Sequence, residues 1–505
     1  MPSMGDTVSA PTRVARRFAW IAVSLGAVAT AISAAGSWSP SLWGDEAASL
    51  MSAERSLPSL AVMLGHVDAV HGTYYLFLHA WIRLFGTSPF ALRFPSAIAV
   101  GFTVVAVTLI AARLRSPRVA IAAGIVCCII PRVTYMGEEA RSYAMSAAIA
   151  AWLTYLFVEI VRRRGAPAWL WIAYGALLAG GVYVFLYLAL VVVSHGIVLV
   201  VMRARKPMLA RWAVACVAAL LVDVPIVVWA IQERGQIAYL ASRTEVGFPT
   251  IAVGLWFGTA EFATVAWLLI LVALAVPAYR RLRRTAPKPR REPTQPSLEL
   301  VAACWLLAPS AILVGSQFLV ADFTARYLSY CAPAAALLIA CGIERISTRR
   351  RWVTAVAVAV VIGVAAPAYL AQRGPYSKND SDWAEISATI GANAHPGDAV
   401  AFDESVRPSR RPRLALRTYP AGFAGLDDVM LETPYYRNTS WPDRAYSLAK
   451  TASLGRLDTV NTLWLVEYAT PTHIDAYGTS TLRRLGFTQT AEYRTHRGVI
   501  YRFTR

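Results

Sequence analysis

Long apolar runs separated by short polar segments fill the chain as far as about residue 371. A helix needs about 20 mostly apolar residues to cross a bilayer. By that measure the runs predict eleven membrane-spanning helices, near 18–36, 96–114, 119–135, 144–162, 168–184, 186–203, 210–231, 262–279, 299–320, 327–345 and 353–371. The apolar stretch 168–203 would be roughly 54 Å long as one helix at 1.5 Å per residue. That is too long for one crossing of a ~30 Å core, so it divides into two short helices with a turn near residues 184–187.

Between the first two spans, 47–55, 58–65 and 74–85 have mixed faces or are too short to cross, and predict amphipathic helices lying on the membrane surface. After 371 the pattern changes. Helical periodicity over 382–394, apolar strand patterns at 399–402 and 462–468, a helix over 471–485 and a hairpin formed by 487–493 and 498–503 predict a small α/β domain. The expected organisation is a polar N-terminus (1–17), a transmembrane domain (18–371) with a large first outer loop (37–95), and a soluble domain (372–505).

Charge orients this scheme. Basic clusters follow the second, fourth, sixth, eighth and tenth spans, on the same side as Arg13, Arg16 and Arg17. Positive residues mark the cytoplasmic side, so the first outer loop and the soluble domain face away from the cytoplasm. The first apolar run reads as an uncleaved signal-anchor. A net charge of +19 invites nucleic acid as a partner, but the charges lie in short loops between spans, which argues against it. The chain is 56% hydrophobic, above the 45–50% usual in soluble domains. All six cysteines lie in apolar runs and read as buried thiols rather than a disulfide framework.

Acids are scarce, and outside the tail their clusters map to the outer face. Asp45 and Glu46 follow the first span, and a carboxylate held where the chain leaves the membrane suits general-base work. The plainer alternative is an interfacial pair capping the helix at Ala47. Asp68 and His71 are a second acid with its orienter, a metal-ligand pair, or a polar loop. Two such residues fall short of a metal site. Glu139, Arg141 and Tyr143 sit between the third and fourth spans, where a guanidinium suits a lipid phosphate. An interfacial salt bridge with a tyrosine anchor is the alternative. Arg326, with Tyr327, opens the tenth span as a second phosphate ligand or a snorkelling side chain. Asp223 is costly inside a bilayer and is expected to face a cavity or partner. His195 and Glu344 carry weaker signals, Glu344 forming a local pair with Arg345.

The order of these motifs resembles a known superfamily: W-G-D-E-A at 43–47, H-G-T-Y-Y-L-F-L-H-A-W-I-R-L-F-G at 71–86, L-R-F-P-S at 92–96, E-A-R-S-Y at 139–143 and R-Y-L at 326–328. It is similar to GT-C integral-membrane glycosyltransferases, in the branch that holds protein O-mannosyltransferases and the lipid A aminoarabinose transferase. The resemblance covers roughly 15–345. It implies a GT-C polytopic helical fold, a polyprenyl-phosphate sugar donor and inversion at the anomeric centre. It makes Asp45 the base with Glu46 beside it, gives Asp68 an accessory catalytic role, and puts His71, Glu139, Arg141, Tyr143, Arg326 and Tyr327 at the substrate. Gly72 and Thr73 replace the two prolines common after the histidine. Arginines would stabilise the departing phosphate without a metal or other cofactor. Expected partners are membrane lipid, the lipid-linked donor and a glycan, glycolipid or protein acceptor in the cell envelope, at the plasma membrane. Mannose is the favoured sugar and arabinose or another pentose the alternative. A transporter or flippase, and a non-catalytic scaffold, are the competing classes.

Overall fold

The computed structural model describes residues 13–163, 165–236, 246–282, 295–319, 323–347, 350–469 and 478–505. Asp322, much of the expected outer loop around 237–245, the basic residues at 164, 283–291 and 349, and the first part of the helix expected at 471–485 lie outside the described residues.

The transmembrane part contains α1 (Arg13–Ala34), α5 (Pro89–Leu114), α6 (Pro117–Ile129), α7 (Pro131–Gly137), α8 (Tyr143–Arg162), α9 (Ala168–Val184), α10 (Val191–Val201), α11 (Lys206–Val222), α12 (Val224–Gln232), α13 (Ala260–Leu282), α14 (Leu298–Ser316), α15 (Ala332–Ser347) and α16 (Arg351–Gln372). Six described helical segments are long and apolar enough to cross a membrane, or eight if two bent pairs each count as one span. Three shorter apolar helices occupy the remaining expected runs.

Both bends have a chemical cause. α6 and α7 meet at 60° where Pro131 cannot continue the ladder, and α11 and α12 meet at 50° just before Pro225. The stretch 168–203 divides as expected, with a 3₁₀ turn at Leu186–Leu190 between α9 and α10. α1 crosses α5 closely because a Cβ on Gly26 would come within 2.9 Å of the Gly101 carbonyl, and small residues of this kind let membrane helices pack tightly. Large apolar side chains such as Leu221, Leu268, Val356 and Leu370 remain exposed, as a lipid-facing surface requires.

The segment between α1 and α5 folds into α2 (Gly44–Glu54), α3 (Leu57–Leu64) and α4 (Gly72–Phe85), the three short helices read from the sequence. α5 starts several residues before the expected span, because Ser88 accepts from the Ala91 N–H and Pro89 opens the first turn.

The soluble part has α17 (Trp383–Asn393), β1 (Ala399–Phe402), β2 (Asp427–Asp428), β3 (Leu431–Thr433), β4 (Arg444–Ala445), β5 (Thr462–Tyr468), β6 (Thr488–Arg494) and β7 (Gly498–Thr504). Its five-stranded sheet has the order β2-β1-β5-β7-β6. β1 runs parallel to β2 and β5, while β5, β7 and β6 alternate antiparallel. The helix expected at 471–485 is described only at Thr479–Arg484.

This domain is joined to the α2 segment rather than merely tethered after it. Ala47 and Met51 of α2 belong to the same apolar core as Trp383, Val400, Phe402 and Leu414. The Tyr419 hydroxyl accepts from the Leu42 N–H at 2.8 Å, and Arg55 donates to the carbonyls of Asn438 and Ser440 at 2.8 and 2.5 Å.

Candidate active site

α2 begins at Gly44, after an extended Trp43. Asp45 and Glu46 therefore lie in its first turn, where the helix dipole favours negative charge, rather than capping it from outside. Successive residues of a helix point about 100° apart, and the two acids meet different partners.

Asp45 Oδ2 accepts from Arg326 Nη1 at 2.5 Å, and both side chains keep solvent access, at 21% and 24%. The Arg326 guanidinium lies 5.5 Å from the centroid of the Trp43 ring. Glu46 has no exposure at all. Its two oxygens take Arg93 Nε and Nη2 at 2.7 and 2.6 Å, and Oε1 also accepts from the Ala140 N–H at 2.9 Å. Arg93 in turn donates to the carbonyls of Ser37, Pro40 and Ser41.

Arg141 reaches the same face of α2, one turn beyond Asp45. Its Nη1 approaches Ser49 Oγ at 3.5 Å, and its Nη2 donates to His71 Nε2 at 3.1 Å. The neutral His71 ring must then carry its proton on Nδ1. Burial, and then the charges of Arg141 and Arg326, push the His71 pKa well below the usual histidine range, so this ring is an uncharged acceptor at neutral pH. Burial also works against the Arg141 charge, but Asp45, with further support from Asp68, holds the guanidinium protonated.

Asp68 sits in the left-handed region, with φ 61°, which Asp tolerates better than most residues. The end of α12 holds this turn. Gln236 accepts from the Asp68 N–H at 3.1 Å and Glu233 from the Ala69 N–H at 2.9 Å. Tyr75 donates its hydroxyl to Asp68 Oδ2 at 3.1 Å. Burial pushes the Asp68 pKa up, with Arg141 and the Tyr75 hydrogen bond opposing it.

Glu139 is buried, its carbonyl accepting from Ser96 Oγ at 2.6 Å. Burial raises its carboxyl pKa. Its Oε1, the Tyr143 hydroxyl and Arg326 Nε are buried without a hydrogen-bond partner among the described residues. Tyr327 joins an aromatic group with Phe185 and Tyr187, with ring centroids 6.0 and 5.2 Å away. Neighbouring Glu138 is fully buried between Arg373 and Lys378, at 3.2 and 3.4 Å, so the segment entering the soluble domain also fixes this motif.

Asp45, Asp68, His71, Glu139, Arg141, Tyr143 and Arg326 thus converge from four separate stretches of sequence. Arg93, Tyr75, Glu233 and Gln236 complete the frame. Arg93 lies within a quoted motif, but its spacing to Glu46 gave no sign of their pairing. Among the described residues no group of three or more His, Cys, Asp or Glu side chains is placed to hold a metal.

The weaker candidates lie elsewhere. His195 hydrogen-bonds Thr154 and Tyr174 and stacks on Phe157 at 4.2 Å, inside the helical bundle. Glu344 pairs with Arg115 at 2.7 Å rather than with adjacent Arg345, which reaches Glu299. The buried carboxylate of Asp223, at the α11–α12 bend, has no partner among the described residues. The cysteines are free thiols, five of them buried.

A bundle of apolar helices gathers acids and arginines at one end, under a small soluble domain, which is the layout of a multi-pass membrane protein. Residues 73–229, about a third of the chain, match the family described as dolichyl-phosphate-mannose-protein mannosyltransferase, which marks the protein as a glycosyltransferase. Its fold is similar to ArnT from Cupriavidus metallidurans in the apo state, at TM-score 0.59 and 14% identity over 96% of this chain and 97% of that one. ArnT bound to undecaprenyl phosphate gives TM-score 0.60 at 14% identity, over 96% and 98%. The archaeal oligosaccharyltransferase AglB from Archaeoglobus fulgidus gives 0.50 at 11% identity, over 88% of this chain and 69% of that one. No curated protein matches the chain.

Proposed function

We propose that the protein transfers a sugar from a polyprenyl-phosphate donor to a hydroxyl of a cell-envelope acceptor, on the outer face of the membrane and with inversion. The observation that carries this reading is the meeting of Asp45 with Arg141 and Arg326, a carboxylate and two guanidinium groups brought together by segments far apart in sequence. The acceptor oxygen attacks the anomeric carbon, its proton passes to Asp45, and the bond from that carbon to the phosphate oxygen breaks. The departing polyprenyl phosphate keeps that electron pair. Arg141 and Arg326 are preorganised to stabilise the charge developing there.

Arg326 Nε has no hydrogen-bond partner among the described residues, so pairing with Asp45 leaves it able to bind phosphate. His71, held neutral, and the unpaired Tyr143 hydroxyl suit sugar or phosphate oxygens. Asp68 and Glu139 supply the remaining acidic groups. Glu46 we place as a positioning residue, since Arg93 and the Ala140 N–H engage both of its oxygens. Mannose is the sugar favoured by the matched family's description, and a pentose is the alternative. The N-terminus is cytoplasmic and the soluble domain extracytoplasmic, from the distribution of basic loops. The 18–371 and 372–505 units, with 37–95 as the catalytic loop, follow from the same reading.

The test is transfer in membranes supplied with radiolabelled polyprenyl-phosphate sugars one at a time, wild type beside Asp45→Asn. Label entering an envelope fraction from one donor, and lost in the variant, supports both reaction class and base. Lipid flipping with no transfer from any donor would favour the transporter class.

A further inference from the structure

The outer surface has a second polar cavity, separate from the Asp45 cluster. It has a volume of about 360 Å³ and lies between the end of α2 and the end of α4. Glu54, Arg55 and Ser56 line one side, and His79, Arg83 and Thr87 the other.

Two lining groups are buried yet incompletely paired. His79 is 6% exposed, and its Nδ1 is 2.7 Å from the Ala53 carbonyl oxygen. A carbonyl only accepts, so Nδ1 carries the proton and the neutral ring offers the Nε2 lone pair. That nitrogen is buried without a partner among the described residues. Arg55 is 1% exposed. Its terminal nitrogens serve Ser59 and two carbonyls of the soluble domain, while its Nε is buried without a partner among the described residues. Buried polar atoms are seldom left so.

One unpaired acceptor and one unpaired donor at the same cavity match a group that both donates and accepts, as a hydroxyl does. The surrounding side chains include the Ser56 and Thr87 hydroxyls, one carboxylate and one exposed guanidinium. Position supports the same class. Asp45 lies in the first turn of α2 and Arg55 just past its last, about 15 Å along the axis at 1.5 Å per residue, within reach of a short oligosaccharide.

We propose that this cavity is a carbohydrate subsite. It holds an uncharged sugar residue of the acceptor glycan while a more distal hydroxyl lies at Asp45. The inference rests on the function proposed above and extends it to the acceptor's chemical class.

The test is saturation-transfer NMR on the full chain in nanodiscs with unlabelled manno- and arabino-oligosaccharides, which needs no catalysis. Wild type and Asp45→Asn are both expected to transfer saturation to sugar ring protons. His79→Phe fills the cavity and removes the acceptor, and the signal is lost. His79→Gln, which keeps an acceptor, restores much of it, showing that loss in the phenylalanine variant is not misfolding. Thr87→Val weakens binding by about tenfold, on the scale of one neutral hydrogen bond. In transfer assays both losses raise KM for a glycan acceptor and leave kcat unchanged. No saturation transfer to any oligosaccharide, or equal transfer with and without His79→Phe, overturns the subsite. Binding that depends on His79 with no sugar transfer from any donor upholds the subsite and counts against the proposed reaction instead.

Discussion

Arg93 grips Glu46 through two hydrogen bonds of 2.7 and 2.6 Å, with neither side chain exposed. The pair ties the first turn of α2 to α5 and, through the carbonyls of Ser37, Pro40 and Ser41, to the chain leaving α1. A buried ion pair is costly to break, on the order of 3–5 kcal/mol, because the surviving charge is left uncompensated. Arg93→Ala and Glu46→Ala are therefore expected to lower the unfolding temperature strongly in detergent. Arg93→Lys fails to rescue, since lysine lacks the planar fork that serves both carboxylate oxygens and the carbonyls. The apolar double variant Arg93→Met with Glu46→Leu is expected to be more stable than either alanine variant. Equal damage from all three would show that the pair's charges matter less than its shape.

Asp45 and Arg326 form the solvent-open counterpart of that pair, and their replacement should separate chemistry from folding. Asp45→Asn is expected to leave the unfolding temperature near wild type and to lower transfer by about 10² to 10⁴, the usual contribution of a positioned base. Arg326→Lys keeps a charge but loses the spare Nε, so it should retain some activity with a weaker donor KM. Measuring kcat and KM for the lipid-linked donor checks both. Wild-type kcat in Asp45→Asn would remove it from the role of base.

The large features of this architecture are visible in the sequence because apolar length and period encode them. The eleven runs, the split between α9 and α10, the three short helices and strands β1 and β5 all follow from local pattern. The gathering of acids at one end was also legible, since their clusters fall in alternate loops between the apolar runs. Pairing was not. Asp45 and Arg326 are 281 positions apart, and no periodicity relates them. Glu46 and Asp45 look equivalent as neighbouring acids, yet helical rotation sends one to a buried clamp and the other to an open cleft. The bend at Pro131 was readable in principle from the proline alone. The penetration of Ala47 and Met51 into the soluble domain's core depends on tertiary packing that no local window contains.

Asp68 gives a pH test of stability. Burial raises its carboxyl pKa in the folded protein, so the unfolded chain releases this proton first, near pH 4. The unfolded state then binds fewer protons than the folded state, and this group's contribution to stability falls as pH rises. Asn cannot ionise, tolerates the left-handed backbone, and retains an oxygen for the Tyr75 hydroxyl. Asp68→Asn is therefore expected to match wild type in acid and to gain relative stability as pH climbs above about 4, levelling off once folded Asp68 is ionised. Thermal unfolding of both proteins across pH 4 to 8 reads this difference directly. A difference that shrinks with rising pH would mean the fold favours the Asp68 carboxylate.

Gly44 tests whether the soluble domain sets the position of the base. A Cβ at this residue would lie 2.5 Å from the Ser409 carbonyl oxygen and 2.6 Å from Ser409 Cβ. Much of that obstacle is backbone, so relief requires the 409 segment or the start of α2 to move. The next residue is Asp45. Gly44→Ala is expected to cost about 1–3 kcal/mol through overpacking, and to lower transfer by on the order of 10², as a 1 Å displacement of a reacting group can. Ser409→Gly combined with Gly44→Ala removes only the side-chain part of the clash, so activity should recover in part. Transfer rates, with limited proteolysis to report opening of the 404–413 segment, distinguish a shifted α2 from a shifted soluble domain. Full activity in Gly44→Ala together with faster cleavage would mean that the domain yields and α2 keeps Asp45 in place without it.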